Sequence, residues 1–496
     1  MQITRKLIIS STLWASAAKG SVMLINLFVL PLFIKNMGAE LYGIWVLSGV
    51  LLGYAGIFDF GFTQGLQKYV AEARVTKDEH ELSKVVVTGT VVLLTIGISL
   101  GIFVYCSAPV IVGFFSIEQE QAGIAVQLLR IGALFSVFMW PLRICDVVLN
   151  SCMRIKELSI LSGIKAMTQS VIMLVMVFNV CDIIYIKWVV SSVVLVLSLY
   201  GIVLLLKYVP EISWRPSYFC FSQILKMQRF SLGMFAVSLL ALISVKIDAV
   251  IVGKMLSMEM LVVYVIIAKP FEVINQIGAV LMSTLLPVAY NMLPQANDRE
   301  KEELICKAII CRTVIVAPIT AVSIWATPSF IELWVGSDYV QYAFWAQLFV
   351  AVHFFLGLKP LANVGRIAGA MRLVNYMMAI KVFVNLVSSI LFVRVFGIGG
   401  VILGTVFSNL VFGELLFGTR ICKVLRVRWL QILKSFGLCV ALPLLATLAF
   451  LPFSELGMNW FGLLGCSALL YVLVLGCVLY TLKTMGKLDG IIKSRA

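Results

Sequence analysis

Long apolar stretches recur from one end of this sequence to the other, each close to the roughly 20 residues that an α-helix needs to cross a bilayer, with short polar connections between them. Inside hydrocarbon every backbone amide must find its partner within the protein, so these stretches can fold as helices but not as open strands. The composition agrees: 61% of the 496 residues are hydrophobic and 13% are charged, against roughly 45–50% and 25% in an ordinary soluble domain. A water-soluble fold is excluded. The expected class is an all-α membrane protein.

The apolar runs predict helices over residues 7–34, 41–66, 84–112, 121–149, 158–181 and 184–207. After a basic connection containing Pro210 and Pro216, a second set follows at 230–256, 259–292, 305–333, 340–365, 373–396 and 398–421, and two more at 431–452 and 459–482. The reading is therefore about 14 transmembrane helices. It places an N-terminal six-helix lobe at 1–207, a cytoplasmic linker at 208–229, a C-terminal six-helix lobe at 230–424, two additional helices at 425–482 and a basic cytoplasmic tail at 483–496.

Charge tests the sidedness of this reading, because one missed helix would invert every loop after it. Lys and Arg outnumber Asp and Glu by 39 to 24. With both termini in the cytoplasm most of these bases fall on the inner side, leaving Lys35, Lys187, Lys254 and Arg394 in outer loops, where Glu118, Glu120, Asp182, Glu332, Asp338 and Glu455 also lie. That asymmetry, together with anionic lipid on the cytoplasmic face, accounts for the basic balance without nucleic acid. At the N-terminus, Arg5 and Lys6 before an apolar run and Ala15, Ser16 and Ala17 imitate a cleavable signal. The apolar stretch continues to Ile34, the length of a retained span.

Several function classes drop out. The 11 Cys sit mostly in apolar runs and form no CxxC pair, and His80 and His353 are the only histidines, so no metal set or cofactor is expected. The polar segments are too short to hold an extramembrane catalytic domain. The function must lie among the helices.

An ionised group at mid-bilayer costs about 2.5–3.5 kcal/mol on insertion scales, so charges placed there need a reason. Arg143, Lys165 and Lys359 lie near expected inner ends and can reach the headgroups with their long stems. Lys19 is different, about 18 Å into the first helix at 1.5 Å per residue. It shares a face with Thr12, Ser16 and Asn26. On the eighth helix Lys269, Glu272 and Gln276 form a second polar face, while the seventh carries Lys246 and Asp248, the latter able to pair with Lys269. Arg130, Asp59 near the end of helix two, and Lys381 with Asn385 complete the set. Bases outnumber acids at depth, and a cavity with surplus positive charge suits an anion. Structural ion pairing remains the alternative for Asp248 and Glu272. The pair Lys35 and Glu40 recurs at the same spacing as Lys254 and Glu259, a faint sign of two parallel halves.

The segments MGAELYGIWVL from Met37 and DFGFTQGLQKYVAEA from Asp59 resemble the first helices of polysaccharide (O-antigen) flippases in the multidrug/oligosaccharidyl-lipid/polysaccharide exporter superfamily. KIDAVIVGKMLSMEMLVVYVIIAK from Lys246 resembles that family's seventh and eighth helices, and FGIGGVILGTVFSN from Phe396 its eleventh-to-twelfth turn. The resemblance implies two six-helix lobes around a cationic cavity that opens alternately to either side of a bacterial plasma membrane. It also implies an undecaprenyl-pyrophosphate-linked oligosaccharide as cargo, with membrane lipids and other polysaccharide assembly proteins as partners. Bases on the first and eighth helices bind the cargo in related flippases, and Lys19 and Lys269 fall there. Some relatives carry another base on the second helix, where this chain has Gly53 and Tyr54. An ion-coupled exporter of small cations on the same fold, using Asp59, Asp248 and Glu272, and a membrane polymerase or ligase stay open as alternatives.

Overall fold

The computed structural model describes residues 20–22, 25–54, 59–115, 117–292, 297–358, 360–367, 370–450, 452 and 459–484. All regular structure among them is helical. In chain order the helices are α1 (Gly20–Met37), α2 (Ala39–Tyr54), α3 (Phe62–Thr76), α4 (Glu79–Phe114), α5 (Gln119–Ser151), α6 (Ile155–Phe178), α7 (Ile183–Tyr208), α8 (Phe221–Met255), α9 (Met258–Met292) and α10 (Asp298–Val335). Then follow α11 (Ala343–Ala351), α12 (Pro360–Ile367), α13 (Met371–Phe396), α14 (Ile398–Phe407), α15 (Phe417–Leu425), α16 (Trp429–Phe450) and α17 (Trp460–Thr484). Eleven segments among the described residues are long and apolar enough to cross a bilayer. This is a multi-pass helical membrane protein; the count of 14 is not reached by that measure.

Three predicted spans differ from the observed elements. The span at 41–66 is divided into α2 and α3 by a turn in which Phe60 and Gly61 take positive φ of 45° and 75°, and the Asp59 carboxylate accepts the Gly61 N–H at 2.8 Å. Glycine is required there for space as well as conformation: a Cβ on Gly61 would sit 2.7 Å from the Ser231 carbonyl, and one on Gly65 would sit 2.6 Å from that of Met227. Close backbone approach of α3 to α8 replaces the hydrophobic drive that is missing between helices in lipid. The span at 340–365 is broken into α11, two single 3₁₀ turns and α12. The span at 398–421 reaches Leu425 and passes through a π-helical stretch, Ser408–Leu416.

Helix starts outside the bilayer are conventionally sealed. Asp78 accepts the Glu81 N–H at 2.8 Å, and Asn297 and Glu300 form a reciprocal capping box, both bonds 2.9 Å. At 38 residues, α10 is about 57 Å long at 1.5 Å per residue, well beyond a 30 Å hydrocarbon core, so its charged first turns extend into water.

The chain forms two compact units, Met1–Glu259 and Met260–Ala496. In the first, α5 packs against α2, α3, α4, α6 and α7, and α8 packs on α2, α3 and α4. Its core gathers Phe62, Leu66, Val86, Trp140, Ile144 and Met227. In the second, α10 is the central post, packed by α11, α12, α16 and α17, with Ile309, Ala317, Phe354, Leu361 and Ile421 at its core. Phe178, Phe383 and Phe461 stand 69%, 66% and 88% exposed, a surface tolerable only against lipid.

Candidate functional site

The residues singled out by the sequence meet different fates. Ser16, Lys19 and Lys359 lie outside the described residues. Asn26 is half-buried on α1. On α9 the Lys269 ammonium lies 3.5 Å from the Glu272 carboxylate one turn on; the lysine is 20% exposed and the acid 54%. Gln276 continues that face and is exposed. The base is thus held by its own helix, through an acid that keeps half its surface open.

In the first unit, the Lys246 stem lies 3.7 Å from where a Cβ on Gly53 would stand. Lys246 thus approaches α2 from α8 at ordinary contact distance. Buried Asp248, 5% exposed, lies within electrostatic reach of the Tyr54 hydroxyl. Arg130 lies over the Tyr105 ring at 4.9 Å. Asp59 sits in the α2–α3 turn, where it caps Gly61 and lies 3.9 Å from the Arg143 guanidinium. In the second unit, the Lys381 stem runs beside Gly413, and Asn385 donates to the Thr405 hydroxyl at 2.9 Å.

A larger polar feature was not anticipated from the sequence. α2, α5, α6 and α7 line a partly open chamber of about 690 Å³ within the first unit, inside the 300–1,000 Å³ range of small-molecule sites. Its charged lining is Arg143 and Asp146 from α5, Lys165 from α6 and Lys187 from α7. Arg143 lies over the Trp140 ring at 4.5 Å and Lys187 over Trp45 at 5.1 Å. Among the described residues neither Asp146, Lys165 nor Lys187 makes an ion pair, although Asp146 is within electrostatic reach of Lys165 and Arg143.

These residues do carry a sequence signal. Ser162, Lys165 and Gln169 fall at i, i+3 and i+7 on α6, and Lys187, Ser191, Val194 and Ser198 at i, i+4, i+7 and i+11 on α7, the spacing of a single helical face. Ranking charges by depth hides them. Arg143 and Lys165 read as headgroup-seeking ends and Lys187 as a loop residue, whereas the chamber collects all three.

The second unit treats charge in the opposite way. Arg312 on α10 is 1% exposed, with Nε and Nη1 lacking hydrogen-bond partners. Its guanidinium packs against Gly278 of α9, and Glu414, 6% exposed on the π-helical stretch, is within electrostatic reach. Outside the spans, Arg74 binds Glu211 at 2.9 Å. Backbone hydrogen bonding, then the arginine, holds the Glu211 carboxyl below its ordinary range. Among the described residues no cluster of three or more His, Cys, Asp or Glu could hold a metal ion.

Residues 37–344 match the family described as polysaccharide biosynthesis protein. A "Putative O-antigen transporter" of Shigella flexneri is 28% identical over 127 residues, 25% of this chain and 30% of that protein. The chain therefore matches less than a third of that relative's length. Among solved structures, the lipid II flippase MurJ in an inward closed conformation aligns with a TM-score of 0.74 at 15% identity, over 94% of this chain and 97% of that one. An inward-facing multidrug resistance MATE family transporter of the MOP superfamily aligns with a TM-score of 0.69 at 13% identity, over 82% and 95%. At these identities the likeness establishes the fold, and the relatives are named as transporters and flippases rather than enzymes.

Proposed function

The chain belongs to the family of polysaccharide biosynthesis proteins, and on that premise we propose that it is a flippase moving an undecaprenyl-pyrophosphate-linked oligosaccharide from the inner to the outer leaflet of a bacterial plasma membrane. The observation that carries this reading is the likeness of nearly the whole chain to a lipid II flippase fold, in a protein whose family is that of polysaccharide assembly. The physical task fits. Sugar hydroxyls and a diphosphate cannot cross hydrocarbon unpaired without a cost of several kcal/mol per group, on the order of that for any buried polar group left without a partner.

In this proposal residues 1–207 and 230–424 act as two six-helix lobes joined by the 208–229 connection, with both termini cytoplasmic, and alternating access comes from rocking one lobe against the other. Lys19 and Lys269 neutralise the diphosphate, supported by Arg130 and Lys246, while Ser16, Asn26 and Gln276 meet hydroxyls. Asp59, Asp248 and Glu272 hold the bases when no cargo is bound. The Lys269–Glu272 pair supports such a role: a phosphate displaces the carboxylate, which turns to water. Membrane lipids accept the prenyl chain, and other polysaccharide assembly proteins receive the product.

Lys19→Ala and Lys269→Ala are each expected to abolish surface polysaccharide while the protein remains in the membrane, measured by glycan staining beside immunoblots. Normal surface polysaccharide in both variants would overturn the assigned roles. A second reading, an ion-coupled exporter of small cations, draws on the MATE likeness. It predicts raised dye or drug accumulation in cells lacking the protein, with surface polysaccharide intact.

A further inference from the structure

We propose that the chamber inside the first unit is a binding site for an acidic sugar, separate from the Lys19 and Lys269 positions assigned to the diphosphate. That the anion is a sugar rests on the flippase reading. That the chamber binds a carboxylate does not.

Partnerless polar groups carry the argument. Asp146, Lys165, Lys187, Ser162, Ser191 and Gln169 all line the chamber, and among the described residues none has a hydrogen bond or ion pair to the protein. Charged and hydrogen-bonding groups at membrane depth must meet water or a ligand, because leaving them dry is too costly. Six such groups from α5, α6 and α7 converge on one volume. A structural ion-pair network would have spent them on one another.

The sign of the charge selects an anion. Arg143 has Asp59 at 3.9 Å. Asp146 lies within electrostatic reach of Lys165 and Arg143 but not of Lys187, so among the described residues the Lys187 ammonium remains without a counter-charge. The Lys187 ammonium lies over the Trp45 ring, and an indole face does not replace a carboxylate. The remaining lining explains why the anion would be a sugar rather than a bare inorganic ion. Hydroxyls and a carboxamide along α6 and α7 offer both donors and acceptors, matching sugar hydroxyls. From Lys187 to Ser198 this polar face runs about 17 Å along α7 at 1.5 Å per residue, longer than a single phosphate can use. A glycan with a uronic-type carboxylate places its charge at a lysine and its hydroxyls along the serines.

The test uses the full-length protein in lipid nanodiscs, titrated with a glucuronic-acid-containing disaccharide, the corresponding neutral disaccharide and inorganic phosphate, read by calorimetry and tryptophan fluorescence. The acidic disaccharide should bind at least about tenfold tighter than either comparator, the weight of one charge-assisted contact. Lys165→Gln and Lys187→Gln should each weaken it about tenfold, and Lys187→Arg by much less. Equal affinity for the neutral sugar, equal affinity for phosphate, or affinity unchanged in both glutamine variants would overturn the proposal. If a glutamine variant does not fold, Ser191→Asp, which puts an acid one turn from Lys187, should abolish binding, and retained binding there overturns it equally. Glycan-lipid translocation in proteoliposomes separates this from the flippase reading. Binding without translocation removes the flippase, whereas translocation of an acidic cargo unaffected by Lys165→Gln and Lys187→Gln removes the chamber.

Discussion

Two sites, one in each unit, hold charge in opposite manners. In the first, Asp146, Lys165 and Lys187 face an open volume of about 690 Å³. In the second, Arg312 is 1% exposed and Glu414 6%, packed into the helices around α10. The same chemical groups are therefore a wet lining in one place and a sealed internal contact in the other. A sealed charge is committed to the fold, because its desolvation is already spent. A wet lining has surrendered little solvation and stays available to a ligand. The contrast distinguishes residues that maintain the bundle from residues that can receive cargo.

Substitutions can break that distinction, and the largest effect is expected at the sealed site. Arg312→Ala should destabilise the protein by about 2–5 kcal/mol through the cavity it opens in the packing around α10, and Arg312→Met, which keeps most of the volume, should recover most of the loss. Thermal unfolding in detergent, followed by fluorescence-detected size exclusion, measures both. If Arg312→Ala melts like the parent protein, the guanidinium is hydrated and the contrast fails.

Next comes the α3–α8 contact. Gly65→Val brings a branched side chain against the Met227 carbonyl and should cost about 1–3 kcal/mol by overpacking. Gly20→Ala, where no atom of the described residues lies within 4 Å, is its control. In the chamber, Lys165→Gln should leave the melting temperature nearly unchanged, since its ammonium has no protein partner among the described residues. A large drop there would turn the chamber into a structural network.

The smallest effect concerns pH. The Glu211 carboxyl is held below its ordinary value of 4.5, so its pairing with Arg74 contributes fully above that pH and is lost as the pH falls through the lowered value. Both partners are about one-third exposed, which limits the contribution to about 1 kcal/mol or less. The melting-temperature difference between the parent protein and Glu211→Gln should therefore shrink from pH 6 to pH 3.5. A difference that persists would assign it to packing.

Much of the helical order was legible because apolar length is a strong signal. The runs beginning near 84, 121, 158 and 184 fall on α4 to α7. Local breaks were less visible. Hydropathy falls after Asp59-Phe60-Gly61, from apolar α2 to amphipathic α3, but the fall does not mark the turn itself, where backbone sign and a single carboxylate end one helix and begin another. The π-helical stretch that carries Glu414 leaves no periodic mark because one extra residue per turn is absorbed within a continuously apolar segment. Depth ranking found Lys269 and Lys246 but passed over Arg312, which lies close to the start of its predicted span, and over Lys187. Position along one helix does not reveal what other helices wall off. The polar stripes on α6 and α7 were present in the sequence, but only the fold points them at a common space.

The most direct test of the transport reading is leaflet transfer of a fluorescent polyprenyl-diphosphate-linked oligosaccharide in proteoliposomes containing only this protein. The account predicts transfer above that of protein-free vesicles, and its loss in Lys19→Ala and Lys269→Ala. Transfer no faster than in protein-free vesicles, from a protein that is folded and inserted, would contradict it.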